Sequence, residues 1–364
     1  MDDIIRGVVR GAIAGSDWVN DTAREPEIHM SVMWRIMKGV GWGQQGFETP
    51  RPKKYATLMQ SHYSNTGTES ALVTMTDPNY TDDGRLYAQK YKGTKLSGWD
   101  PIFRGVMCGL TYPIPKKSLV ATVSSSLYTH SNNVFSIASA FACGIIYYTR
   151  MGASNKFSKT HDTVQVVVAP ENEDEYYQML ECEDLAEISI ASPLAVVALS
   201  RWFMTMRKCK LKTVFKALQE QKPDAPTNWY AYIGVLWGAL HGNNKFSDRY
   251  KPSPPWIDDV VLGVQEYVDS GDISSVVQEQ PQKDESDYSS EFESEEDTES
   301  DSSDEEIDEP SDSSKSGSGS ESEYSNYSQS DEDDEDDQPP KPKTKSYATV
   351  ARARAPIDLD ELGI

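Results

Sequence analysis

The sequence predicts a mainly α-helical, two-lobed body with at most a few short strands, followed by a disordered acidic C-terminal tail. Three observations lead there. Apolar residues recur at helical spacing in several runs that carry start and stop signals. Charge is partitioned: residues 1–270 hold 28 Lys+Arg and 28 Asp+Glu, whereas 271–364 hold 7 and 30 and carry the whole net charge of −23. Beyond Val277 the chain has too little apolar content to build a core. The expected segments are an N-terminal lobe over 1–160, a C-terminal helical lobe over 161–275, an acidic Ser/Asp/Glu-rich tail over 276–340, and a basic stretch with a docking peptide over 341–364.

Taken in order, Met1–Gly15 reads as a short amphipathic helix. Ile4, Ile5, Val8, Val9 and Ile13 form its apolar side, Asp2 and Asp3 suit its first turn, and Gly15 is its stop. A terminal helix of this kind packs on its own body or exchanges onto a neighbour. His29–Val40 is a second helix, built on Met30, Met33, Trp34 and Met37. The run Gly41–Gly46 that follows matches G-x-G-x-x-G. A helix precedes it and Phe47 to Pro52 follow, so it reads as a structural turn and not as a phosphate loop. From Phe47 to Pro115, frequent prolines and glycines predict short helices and loops.

Ser118 to Thr149 is 32 residues with no formal charge apart from His130. Ser118–Tyr128 fits helix or strand. From Asn133 as N-cap to Gly152 just past the end, a core helix is expected, with Ala138/Ala142 and Ala140/Gly144 allowing close helix–helix approach. Arg150–Lys159 reads as a polar basic loop. Thr163–Ala169 (TVQVVVA) is the clearest strand, ended by Pro170. Glu171–Glu187 is acidic, with Tyr176, Tyr177, Met179, Leu180 and Leu185 on one side. In Ser192–Leu218, Ser192-Pro193 supplies a helix start. Val196, Leu199, Phe203, Met206, Val214, Ala217 and Leu218 share one face, and Arg201, Lys208, Lys212 and Lys216 lie nearly opposite. Arg207 and Lys210 project from the apolar side, so either the helix bends or restarts near Lys208 or those two stems snorkel out to water. Asn228–Leu240 reads as a buried helix and Trp256–Val268 as a last amphipathic one.

Several chemistries find no support. The four cysteines never form C-x-x-C, which predicts free thiols in a reducing compartment, and the five histidines share no ligand spacing. No metal and no cofactor is expected. The neighbours Asp82-Asp83 and Asp258-Asp259 point apart in a helix or strand. Gly152-Ala-Ser154 lacks the closing glycine of a nucleophile elbow. The chain is therefore expected not to be an enzyme. Asp2 and Asp3 stand where a secretory signal needs cations. Val134–Tyr148, with 15 uncharged residues, falls short of the roughly 20 that a spanning helix needs. No membrane partner and no secretion are expected.

The strongest functional feature is the cationic face of Arg201, Lys208, Lys212 and Lys216, with a second cluster at Arg150, Lys156 and Lys159. No acid lies between Arg201 and Lys216, so the face is not a salt-bridge ladder. In a neutral body, two such clusters mean segregated charge. Solvated surface is the commonest role for such residues; contact with a nucleic-acid backbone is the sharper one. Tyr147, Tyr148 and Trp202 lie close enough in sequence to stack on bases, although core packing is the commoner role. In the tail, Ser294, Ser300, Ser302, Ser303 and Ser311 precede acids and are candidate phosphosites. Ile357, Leu359, Leu362 and Ile364 alternate with acids as a candidate partner-docking peptide.

This plan resembles that of RNA-virus nucleoproteins of the negative-strand type, in organisation over the full length. The resemblance implies two helical lobes clamping an RNA backbone, terminal arms exchanged between neighbours, and a tail that meets a polymerase or phosphoprotein. The expectation is sequence-independent binding and packaging of single-stranded RNA by a self-associating nucleoprotein or capsid subunit, in the virion and the host cytoplasm or nucleus. The alternative is an acidic-tailed interaction or chaperone-like protein that binds basic partners.

Overall fold

Helices account for the regular structure wherever the chain is described. The computed structural model describes residues 1–41, 52–85, 88, 98–246 and 254–269, with no account of the side chains of 267–269. Among these residues there are thirteen α-helices and no strand, so the body is mainly α. All of them fall within one compact unit.

The first helix, α1 (Asp2–Trp18), continues past Gly15, where the sequence predicts its stop. The reason lies in a partner helix from the far end of the body. α1 makes its most extensive contact with Thr227–His241, and the two touch backbone to backbone. A Cβ on Gly11 would sit 1.9 Å from the Gly234 carbonyl oxygen, and one on Gly15 would sit 2.3 Å from the Tyr230 carbonyl. The glycines serve close approach, not chain reversal. The terminal helix thus packs on its own body. α2 (Glu25–Val40) begins with Pro26 in its first turn and ends at Gly41, whose φ of 93° is left-handed.

Short helices α3 (Pro52–Tyr63) and α4 (Glu69–Met75) cover one side of the body. α5 (Trp99–Thr111) is a surprise of the punctuated region, because all of its residues are buried. Against it pack α6 (Pro115–Leu127) and α7 (Asn133–Arg150), so Ser118–Tyr128 is helical. A Cβ on Gly105 or Gly109 would meet the Ser139 or Cys143 carbonyl oxygen at 2.5 or 2.2 Å. α7 is capped by the Asn132 side chain and followed by Gly152 at φ 68°.

α8 (Lys156–Val164) passes into a 3₁₀ turn, Gln165–Val167. The strand expected over Thr163–Ala169 does not form. Val164 and Val167 are both buried, three residues apart, as a helical turn requires and as an alternating strand would not allow. Here tertiary burial overrides β-propensity. α9 (Glu173–Glu181), α10 (Ala195–Met206), α11 (Leu211–Gln221), α12 (Thr227–His241) and α13 (Trp256–Asp269) complete the body. The adjacent acids of α13 do point apart: Asp258 pairs with Arg6 at 2.7 Å, and Asp259 takes Lys38 and the Trp34 Nε1–H, both at 2.8 Å.

The apolar interior forms a large cluster that runs from Ile5 to Val264 and a smaller one around Val32, Ile36, Tyr55, Met59, Tyr63 and Tyr80. The sequence divides its lobes between 160 and 161. That point lies inside α8, and the larger cluster draws residues from both sides of it.

Where the two clusters meet, the contact is polar. Arg104 Nη1 donates to Tyr63 OH and Ser70 Oγ, both at 2.9 Å, and Nε donates to Ser125 Oγ at 2.9 Å. Nη2 donates to the Ser125 carbonyl at 3.3 Å and to Thr129 Oγ1. Asp100, one turn earlier, accepts from the Ser70 N–H at 2.7 Å and pairs with His29 Nε2 at 3.0 Å. Burial works against both charges. The Tyr63 hydroxyl and the Asp100 carboxylate nonetheless raise Arg104 above its ordinary pKa, and the His29 and His130 rings with Ser70 push Asp100 well below the carboxylate range.

Candidate nucleic-acid interface

Between Ile188 and Gln219 the chain carries six cations and no carboxylate. α10 stops at Met206, and α11 restarts at Leu211, so the helix restarts where Arg207 and Lys210 would otherwise enter the core. Both are exposed instead. The corner is propped by α12: Trp237 Nε1 donates to the Cys209 carbonyl at 3.0 Å, and His241 Nε2 donates to that of Arg207 at 2.8 Å. Upstream, the helix begins at Ala195 and not at Pro193. The Ser192 hydroxyl donates to Glu175 at 2.9 Å and is not a cap.

Beyond the corner, Leu211, Val214, Phe215 and Leu218 are buried, which leaves Lys212 and Lys216 exposed on the other side of α11. Lys210 and Lys212 stand at the N-terminal end of that helix. It has no side-chain cap and no acid in its first turn. A helix N-terminus disfavours cations by roughly 0.3–1 kcal/mol at exposed sites. The arrangement therefore costs the helix and suits an anion, which would meet free N–H groups and ammonium groups together.

The second cluster divides. Lys156 and Lys159 lie on α8, not in a loop. Burial and then the Arg207 guanidinium hold Lys156 below the ordinary lysine range, so the first turn of α8 stands beside the corner. Arg150 is not available to a ligand. Its Nη1 and Nη2 donate to the Leu110 and Tyr112 carbonyls, each at 2.6 Å, at the C-terminal end of α5. Burial lowers its pKa to about 10. Arg201 is likewise committed: Nη1 donates to the Leu180 carbonyl at 2.5 Å, and Nη2 faces Glu183 at 3.5 Å.

What remain are Lys156, Lys159, Arg207, Lys208, Lys210, Lys212 and Lys216, from two stretches whose members Lys156 and Arg207 lie close enough to act on one another. Among the described residues none of these has a carboxylate within 4.0 Å. Arg207 and Lys210 were not legible as members, because an unbroken helix would turn them inward. The aromatic residues nearby are engaged elsewhere. Tyr147 donates to the Pro113 carbonyl at 2.9 Å, Tyr148 bonds Thr163 at 2.8 Å, and Trp202 is buried. Their role is packing.

Among the described residues no cluster of three His, Cys, Asp or Glu side chains is placed to hold a metal ion. No described helix is long and apolar enough to cross a membrane. A cavity between α6, α7 and α8, lined by Ser118, Cys143 and Tyr148, measures about 10 Å³, room for one water. All four cysteines are free thiols, Cys108 and Cys143 fully buried. The run 42–46, the serines Ser294, Ser300, Ser302, Ser303 and Ser311, and the peptide of Ile357, Leu359, Leu362 and Ile364 lie outside the described residues. No family model matches the chain, and no curated protein is similar to it.

Proposed function

We propose that this protein binds single-stranded RNA without sequence preference through the cations at the junction of α8, α10 and α11, and packages it as a self-associating nucleoprotein or capsid subunit. The observation that carries the reading is six exposed cations and the half-buried Lys156, with no carboxylate within 4.0 Å among the described residues, from two stretches of sequence that meet at Lys156 and Arg207. Lysines dominate, so contacts are to phosphates as point charges rather than bidentate base readout. The engaged aromatics leave backbone binding as the mode. The charge plan and the nucleoprotein-like order of body and tail support packaging in a virion and host cell.

The test is titration of the full-length protein with a labelled single-stranded oligonucleotide over a range of salt. Each lost phosphate contact lowers the log–log salt slope by about 0.7. Replacing Lys208, Lys210, Lys212 and Lys216 together by Ala should flatten the slope by roughly 2–3 for the four lost cations. Binding that ignores salt, or that keeps its affinity and salt slope after that replacement, refutes the interface. Electron microscopy of protein carrying RNA tests packaging, through rings or filaments. The tail, with 30 acids against 7 cations after residue 270, supports the second reading, a binder of basic partners. Capture of a basic protein in place of RNA would favour it.

A further inference from the structure

We propose that the buried cluster of His130, Arg104, Asp100 and His29 is an acid-operated latch, through which a fall in pH releases α3 and α4 from α5 and α6 before the body as a whole unfolds. The latch sits where the small apolar cluster meets the large one. On one side, Tyr63 at the end of α3 and Ser70 at the start of α4 contribute hydroxyls and an N–H. On the other, Arg104, Asp100 and Ser125 receive them. Further ties across the same boundary are the Tyr80 hydroxyl on the Tyr128 carbonyl at 2.8 Å and the Tyr128 hydroxyl on that of Pro52 at 3.3 Å. Packed side chains share this boundary, with the Tyr55 and Tyr128 rings 4.5 Å apart and Met59 joined to Val32 and Ile36 of α2 in the small cluster. Its hydrogen-bonded part reopens to water at less cost than the packed part, because water replaces the partners it loses.

His130 makes this junction sensitive to protons. It is 1 % exposed, and its Nε2 has no hydrogen-bond partner among the described residues. Its Nδ1 lies 2.8 Å from Thr129 Oγ1, the hydroxyl that also accepts from Arg104. The groups that face it are Asp100 and Arg104 from α5, His29 from α2, and the Phe135 ring of α7 in an edge contact at 4.7 Å. On the α3 and α4 side the neighbours of Arg104 and Asp100 are Tyr63 and Ser70, neither of them charged at neutral pH. Asp100, the carboxylate that acts on the ring, is already held by His29 and Ser70, and the half-buried Glu25 of α2 acts on His29 and Asp100. A second proton on His130 would therefore bring a buried N–H and a positive charge beside Arg104 with no acceptor left. Burial, reinforced by Arg104 and His29 and partly offset by Asp100, lowers its pKa to about 3 in the closed state. Once the junction opens, the ring meets water and returns towards 6.5. Protons bind the open form, so acid favours it.

Amide hydrogen exchange of the full-length protein, corrected for the intrinsic rate at each pH, tests the latch. Between pH 7 and pH 5 one such proton multiplies the open population about 25-fold. The expected result is a loss of protection of that size in Pro52–Tyr63 and Glu69–Met75, with Asn133–Arg150 unchanged. His130→Gln should remove the pH dependence. Equal loss in α7, or a loss that persists in His130→Gln, overturns the proposal. Should that variant fail to fold, deuterium exchange at the histidine ring carbon of the wild-type chain decides. A folded His130 that titrates near 6.5 refutes the latch, and one still neutral at pH 5 sustains it.

Discussion

Replacing Gly11 by Ala should be far more damaging than its single methyl group suggests. A Cβ there would lie 1.9 Å from the Gly234 oxygen and 2.3 Å from its carbonyl carbon. Both are backbone atoms that no rotamer change can move. Ordinary van der Waals contact begins near 3.4 Å, so relief requires the helices to separate locally by about 1.5 Å. The seam cannot open at one point. Gly238 and Gly15 make equivalent contacts at 1.9 and 2.3 Å on either side of it, and Ile5, Val8, Val9, Ala12 and Ile13 would all lose partners. A gap of 0.5–1 Å already forfeits a quarter to a half of the dispersion at a contact. Overpacking of this kind costs about 3 kcal/mol at the upper end of its usual range. Alanine's better helix propensity returns about 1 kcal/mol. A net loss of about 2 kcal/mol would lower Tm by about 4–8 °C for a body of this size. Thermal unfolding of the full-length protein, followed by circular dichroism, measures it. Gly39→Ala is the control, because the Cβ there meets only the movable end of the Leu58 side chain, at 2.9 Å. If Gly11→Ala melts at or above the wild-type temperature, backbone contact between α1 and α12 is not what holds the N-terminus down.

Three further outcomes are expected. Arg104→Met leaves Tyr63, Ser70, Ser125 and Thr129 oxygens buried without their donor and should cost about 3–5 kcal/mol; a shift in urea midpoint worth less than 1 kcal/mol would refute that. Asp100 is held below its ordinary pKa of 3.8, so the folded state binds fewer protons there than the unfolded one. Its contribution is complete above about pH 4 and fades as pH falls below it. In acid titration the stability of Asp100→Asn should then depend less on pH below 4 than that of the wild type. Asp259→Asn removes an exposed pair with Lys38, each side chain half exposed, and should cost less than about 1 kcal/mol. A larger loss in chemical denaturation would mean that α13 is a keystone.

Much of the helical plan was readable before any coordinates. α7 announced itself through apolar length and end signals and α12 through apolar content, and a bend or restart near Lys208 was one of the readings left open by two cations on the apolar side. α5 was not legible, for a physical reason. A helix buried on every side shows no polar face, so its sequence, Trp99–Thr111, has no period to detect. The run TVQVVVA misled because β-branched residues favour strands only where a neighbouring strand exists to pack against. Of the seven cations first assigned to the interface, five remain exposed or half-exposed with no carboxylate within 4.0 Å among the described residues, whereas the Arg150 and Arg201 guanidiniums are engaged by backbone carbonyls.

The order of residues alone determined that a balanced, helix-forming body precedes an acidic extension, since charge and periodicity are properties of neighbours along the chain. Which guanidinium is spent and which ammonium is free was decided only in three dimensions. Arg150 finds its acceptors at Leu110 and Tyr112, and Arg201 finds its own at Leu180. Those carbonyls lie 20 to 40 positions away and become unsatisfied acceptors only because a helix happens to end there. The glycine seam between α1 and α12 obeys the same rule: a missing side chain is silent in sequence and acquires meaning from the helix laid against it.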